Sequence, residues 1–183
     1  MQTIVTPTLT LEPLLANHAE AMFEVLSDQA IYQYLDYSPP ASAEHLRTVY
    51  ARLEERRSPD GSEAWLNWVI RPRDQPLAGY VQATVGSDRA YVAYVLGSRY
   101  WGRGYAQRAM QAMLEHLDST YHVDRYLATV EVENQRSIRL LERLGFQLMA
   151  SQDLHNHQLS TTERVFVRSS TAKERDDADD RLA

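Results

Sequence analysis

Between residues 89 and 132 the chain commits itself to one kind of architecture. A run rich in aromatic and β-branched residues (89–96) ends, and a loop with three glycines intervenes. An amphipathic helix then begins at once: Ala106, Ala109, Met110, Met113, Leu114 and Leu117 recur at helical spacing and mark one apolar face. A further strand-like run follows at 125–132. A helix with one apolar face set between two strands has to lie on a sheet, so the fold is α/β.

The rest of the chain agrees. Residues 8–11 alternate polar and apolar as a first strand, and Asn17 offers a cap for a helix over 18–27. Ser38-Pro39-Pro40 interrupts the chain, and Ser42 is positioned to cap a second helix reaching Leu53. Strand patterns follow at 64–70 and 77–85, separated from each other and from 89–96 by hairpin-type turns. Ile138, Leu141 and Leu144 mark a short helix that Gly145 stops, and strands at 146–149 and 163–168 close the domain. Antiparallel pairing first and interleaved helices later predict a mixed, mostly antiparallel sheet of six to seven strands with about four helices. The domain is expected to span 1–168. Residues 169–183 are polar and charged, which predicts a disordered tail.

Composition narrows the function. A chain of 183 residues without a cysteine has no disulfide, thiolate metal site or cysteine nucleophile. A net charge of −6 disfavours nucleic acid and anionic membrane as partners. The chain's first residues lack a signal-peptide pattern, and no apolar run is long enough to span a bilayer, so a cytoplasmic location is expected.

Two segments carry chemistry. In the first, Val95 and Leu96 end a strand, and Arg99-Tyr100-Trp101-Gly102-Arg103-Gly104-Tyr105-Ala106 leads into the amphipathic helix. Such a junction offers free backbone N–H groups and the positive end of a helix dipole, and glycine lets a phosphate approach closely. Read alone, the same loop is a tight turn that needs glycine. It fits neither a dinucleotide fingerprint, since Gln107 stands at the third glycine position, nor a P-loop. In the second segment Asn134 and Ser137 open a helix that ends in Leu144-Gly145-Phe146. Each half has an ordinary structural reading as a cap and an exit.

The pair of segments, Arg-x-x-Gly-x-Gly-x-Ala and then Asn-x-x-Ser…Leu-Gly-Phe, resembles the GNAT N-acyltransferase superfamily. The order of elements matches over nearly the whole chain before the tail. The early Leu-Thr-Leu-Glu-Pro-Leu strand and Tyr32-Gln33-Tyr34-Leu35 are similar to its Rim-type branch, which acetylates protein N-termini and related amines. The resemblance implies that Arg99 to Ala106 hold the pyrophosphate of acetyl-coenzyme A and that Val95 and Leu96 pair with its pantetheine arm. Asn134 and Ser137 would complete the cofactor site. Many members use a tyrosine four residues before Gly-Phe to protonate the departing thiolate, where this chain has Leu141. Ser137 is the expected replacement, against the plain reading of a serine bonding its own helix start.

The base is left open among Asp153, His155, Glu131, Asp36 and Glu63, each of which also reads as a solvated charge. His155-Asn156-His157 is too sparse for a metal site, and no metal is expected. Tyr32, Tyr34, Tyr37, Trp65 and Trp68 are candidates for an acceptor wall or for core. The expected function is transfer of an acetyl group from acetyl-coenzyme A to a primary amine, on a protein N-terminus or a small molecule, by a monomer or homodimer. The alternatives are a non-catalytic acyl-coenzyme A sensor and an unrelated α/β binding domain whose glycine loop is only a turn.

Overall fold

The computed structural model describes residues 1–150 and 162–170. Its strands are β1 (Ile4–Val5), β2 (Leu9–Pro13), β3 (Ala64–Pro72), β4 (Gly79–Val85), β5 (Ala90–Leu96), β6 (Arg125–Glu131), β7 (Gln147–Leu148) and β8 (Glu163–Ser169). Its helices are α1 (Ala19–Leu26), α2 (Ala43–Leu53), α3 (Tyr105–Tyr121) and α4 (Gln135–Arg143). All eight strands join one sheet in the order β1-β2-β3-β4-β5-β6-β8-β7, and only the β5–β6 pairing is parallel.

The strand beyond the expected six to seven is β1, whose two residues are too few to show a period. It forms because Ile4 and Val5 pair antiparallel with Leu11 and Thr10. The first helix also departs from expectation. A 3-10 turn at Ala16–His18 precedes α1, and His18 rather than Asn17 stands at the N-cap without a side-chain hydrogen bond. The other local signals hold. Ser42 Oγ accepts from the His45 N–H at 3.0 Å, Asn134 Oδ1 accepts from the Ser137 N–H at 3.2 Å, and Gly145 takes φ +84° after α4.

Two apolar layers sandwich the sheet. On one face Met110, Met113, Leu114 and Leu117 of α3 are fully buried against Leu66, Trp68, Ile70 and Val81. Each such side chain contributes about 1.5–3 kcal/mol through burial. On the other face Met22, Val25 and Leu26 of α1 and Leu46 of α2 cover Val69, Leu77 and Val95. Along β2–β5 the period of two therefore divides residues between the α3 side and the α1–α2 side, while on β6 and β8 Leu127 and Val165 pack with Met149 in a third, smaller cluster.

The last strand runs past residue 168. Ser169 belongs to β8, and Ser170 is buried, with its hydroxyl donating to Asp118 Oδ1 at 2.8 Å and its N–H to the Asp124 carbonyl at 2.9 Å. The remainder of the expected tail, 171–183, lies outside the described residues. Among the described residues no helix is long and apolar enough to cross a membrane.

Candidate active site

The parallel strands β5 and β6 touch only at Ala90–Tyr126 and Tyr91–Leu127, and beyond that point they part. A cleft of about 490 Å³ opens between them, walled by the end of β5, the loop before α3, and α4. Bonds from the Gly86 N–H to Arg89 and from the Gly97 N–H to Ala78 fix the alternation on the β4 side. Odd-numbered residues of β5, Val95 included, therefore direct their backbone groups to β4, while Tyr94 and Leu96 turn theirs to the open side. The Leu96 carbonyl accepts from Trp101 Nε1 at 2.7 Å, and the Arg136 guanidinium lies 4.2 Å over the Trp101 ring. Gly79 makes this edge possible: a Cβ there would stand 2.0 Å from the Val95 carbonyl oxygen. Only glycine lets β4 come so near the end of β5.

The outer end of the cleft is built for anions. Gly102 and Gly104 both take φ +74°, and Gly104 is the N-cap of α3. No acidic side chain stands in the first turn, and Gly104 makes no side-chain cap, so the helix start keeps backbone donors to offer. A Cβ at Gly102 would meet nothing within 4 Å, leaving room for an approaching group. Asp28 holds the loop from behind, with Oδ2 accepting from the Ser98 N–H at 2.7 Å and Oδ1 from the Ala30 N–H at 3.0 Å. The hydrogen bond from Ser98 lowers the carboxyl pKa below its usual value.

Of the residues expected at the cofactor, Val95, Leu96, Trp101, Gly102, Gly104, Tyr105, Ala106, Asn134 and Ser137 line the cleft. Arg99 and Arg103 are exposed and do not. Arg99 lies over the Tyr100 ring, and the Arg103 carbonyl accepts from Arg108 Nη2 at 2.7 Å. The cleft draws its positive charge instead from Arg136, Arg139 and Arg143 on one face of α4. Their i, i+3, i+7 spacing was readable from sequence as a basic stripe, though not which way it faced.

At the inner end Tyr94 Oη and Ser137 Oγ share a hydrogen bond of 2.8 Å. Ser137 thus reaches across the cleft to another element, which is more than a serine at a helix start requires. Burial raises the Tyr94 pKa, so the phenol stays protonated at neutral pH. Leu141, four residues before Gly145-Phe146, is buried in the core at 3% exposure. Nothing in the sequence marks Tyr94, because an aromatic on a strand reads first as core.

The candidate bases disperse. Glu131 ends β6 opposite Glu163, on the sheet face away from α3, and is not among the cleft-lining residues. Asp36 is exposed and lines no described cavity, and Glu63 Oε2 accepts from Trp65 Nε1 at 3.2 Å. Asp153, His155 and His157 lie outside the described residues. Among the described residues no three His, Cys, Asp or Glu side chains gather as a metal would need. The aromatic residues divide. Tyr34 lines the cleft, Tyr32 and Tyr37 line a second cavity, Trp65 stays at the edge with Glu63, and Trp68 is wholly core.

Comparison with known proteins agrees with this geometry. The acetyltransferase (GNAT) domain family matches residues 8–147. An uncharacterized N-acetyltransferase, p20, of Bacillus licheniformis is 27% identical over 149 residues, covering 80% of this chain and 83% of the relative. The ribosomal-protein-S5-alanine acetyltransferase of Vibrio fischeri has a similar fold, with TM-score 0.76 at 15% identity over 92% of this chain and 97% of that one. So does the spermidine N-acetyltransferase of Vibrio cholerae, solved with coenzyme A and spermine, with TM-score 0.72 at 17% identity over 91% and 98%. The chain belongs to the GNAT acetyltransferase family and is an acyl-coenzyme A-dependent acetyltransferase.

Proposed function

We propose that the chain moves the acetyl group of acetyl-coenzyme A directly to a primary amine, within a complex that holds both. The bonded pair of Tyr94 and Ser137, at the point where β5 and β6 separate, carries this reading. Acetyl-coenzyme A supplies an activated carbonyl: the amine nitrogen forms the new C–N bond as the C–S bond breaks and the thiolate leaves. The open-side backbone groups of Tyr94 and Leu96 hold the pantetheine arm as a strand would. The first turn of α3 and the glycines before it take the pyrophosphate, while Arg136, Arg139 and Arg143 offset the remaining phosphate charge. Ser137 donates its proton toward the departing sulfur, Tyr94 passes its own to Ser137, and solvent at the cleft returns a proton to the phenol. The proton lost by the amine passes to solvent through a base outside this pair.

A Rim-type acceptor, the N-terminus of a protein, is the finer reading, supported by the fold shared with the Vibrio fischeri enzyme and by the early strand. The test is two-part. Coenzyme A at 100 times its dissociation constant should stabilise the chain by about 2.7 kcal/mol in a thermal-shift titration. A panel of peptides and small amines should then show turnover dependent on acetyl-coenzyme A. An unshifted melting curve would remove the cofactor placement.

A further inference from the structure

A second cavity of about 410 Å³ lies on the α1–α2 side of the sheet. It neighbours the cleft in two ways. The segment 30–41 walls both, with Ile31, Tyr34 and Leu35 facing the cleft while Tyr32 and Tyr37 face the cavity. On the adjacent strands β5 and β4, Val95 of the cleft pairs in register with Tyr80 of the cavity.

The lining is mostly phenolic and apolar, with Ser38 and the His45 imidazole as its other polar side chains beside two amides. Tyr32, Tyr37, Tyr50 and Tyr80 stand around it with Leu46, and its only amides are Asn67 and Gln82. Among the described residues lining it, none is acidic. Three of the four phenols are engaged: Tyr37 Oη and Tyr80 Oη share a bond of 3.0 Å, and Tyr32 Oη donates to the Leu26 carbonyl at 2.8 Å. Tyr50 is different. It is 4% exposed, and its buried hydroxyl finds no partner among the described residues. A buried hydroxyl without a partner is costly, and its presence at a cavity wall points to a bond completed by whatever enters. Burial keeps the Tyr50 proton on the oxygen, so the group is a donor.

We infer that this cavity is the acceptor subsite, and that it takes a primary amine on an uncharged apolar body bearing one acceptor oxygen, as at the start of a peptide with an apolar first side chain. The inference rests on the acetyl-transfer reading above. A polyamine is excluded by the same chemistry: its further ammonium groups would lose water here and meet no carboxylate in return. The neutral amides of Asn67 and Gln82 can bond a backbone but cannot offset a full charge.

The experiment uses the full chain, with coenzyme A affinity measured first by calorimetry. Three amines are then compared in acetyl transfer: phenylalaninamide, which has the ring and the carbonyl oxygen; 2-phenylethylamine, which lacks the oxygen; and spermidine. Tyr50→Phe removes only the hydroxyl and leaves the packing intact. It should lower kcat/KM for phenylalaninamide about 3- to 10-fold, the range for one lost hydrogen bond, and for 2-phenylethylamine by less than about twofold. Spermidine should be at least about tenfold poorer than phenylalaninamide, and Gln82→Glu should narrow that gap. Equal effects of Tyr50→Phe on both aromatic amines, or a parent enzyme that prefers spermidine, would overturn the inference. Coenzyme A binding without turnover of any aromatic amine would overturn it too while leaving the cofactor placement intact. Absence of coenzyme A binding would instead remove the acetyl-transfer reading on which it stands.

Discussion

Tyr94 and Ser137 meet from opposite sides of the cleft, one from a strand and one from the first turn of a helix. If the pair protonates the departing sulfur, its contribution grows with the charge that develops there and so belongs to the transition state. Ser137→Ala should cut kcat by about 10- to 1,000-fold with little change in KM for acetyl-coenzyme A. Tyr94→Phe should fall in the same range, and the double variant should be no worse than the poorer single, because the two hydroxyls act as one unit. A kcat within twofold of the parent in both singles would return Ser137 to a helix-start role. Gly104→Val tests the other end. Its φ of +74° strains any branched residue, and a Cβ would sit 2.9 Å from Arg108 Nη1. Coenzyme A affinity should be lost while circular dichroism stays that of the parent. Ser137 was legible because Asn-x-x-Ser at a helix start is a local pattern. Tyr94 was not, because its partner lies 43 residues away in sequence.

Helix α4 shows how far a periodic pattern goes and where it stops. Its basic stripe is visible in sequence, whereas only the packing of Leu141 into the core fixes that Arg136, Arg139 and Arg143 face the cleft. Arg139→Glu should weaken coenzyme A at least about tenfold, and parent affinity should fall as salt rises, since these charges are partly solvated. The loop before α3 adds a pH dependence. The Asp28 carboxyl is lowered below 3.8 by the Ser98 and Ala30 N–H groups it accepts from. A depressed folded-state pKa means that its stabilisation is present above the unfolded value and fades as pH falls through the folded one. Coenzyme A affinity should therefore carry an acid limb below about pH 4. Asp28→Asn, with one acceptor oxygen for two N–H groups, should weaken affinity at neutral pH and abolish that limb in calorimetric titration. At this scale α3 and the Ser42 and Asn134 caps were readable, because they depend on neighbours three or four residues away. Strand β1 and the 3-10 turn at Gln29–Tyr34, capped by Asp28, escaped because each is held by partners outside its own pattern.

Over the whole molecule, an acidic chain of net charge −6 concentrates arginines at one cleft, a distribution that a composition average hides. Strand order is equally invisible to composition and period, since pairing partners are chosen by tertiary contact, and only the antiparallel hairpins β3–β4–β5 followed from their turns. The chain's end can be located by truncation. Removal of 171–183 should leave the melting temperature unchanged, whereas stopping at residue 168 should cost about 1–3 kcal/mol. The latter cut takes Ser170 from Asp118, which Tyr126 also bonds at 2.6 Å. A sheet usually has two outer edges, and this one has a third in its interior, where β5 and β6 separate. The proposed thioester arm would lie along that interior edge, where a neighbouring strand would, between two halves of the sheet that the core under α3 already joins. Deuterium uptake at the open-side amides of β5 should drop on binding, since the arm would take the hydrogen bonds that β6 leaves open there.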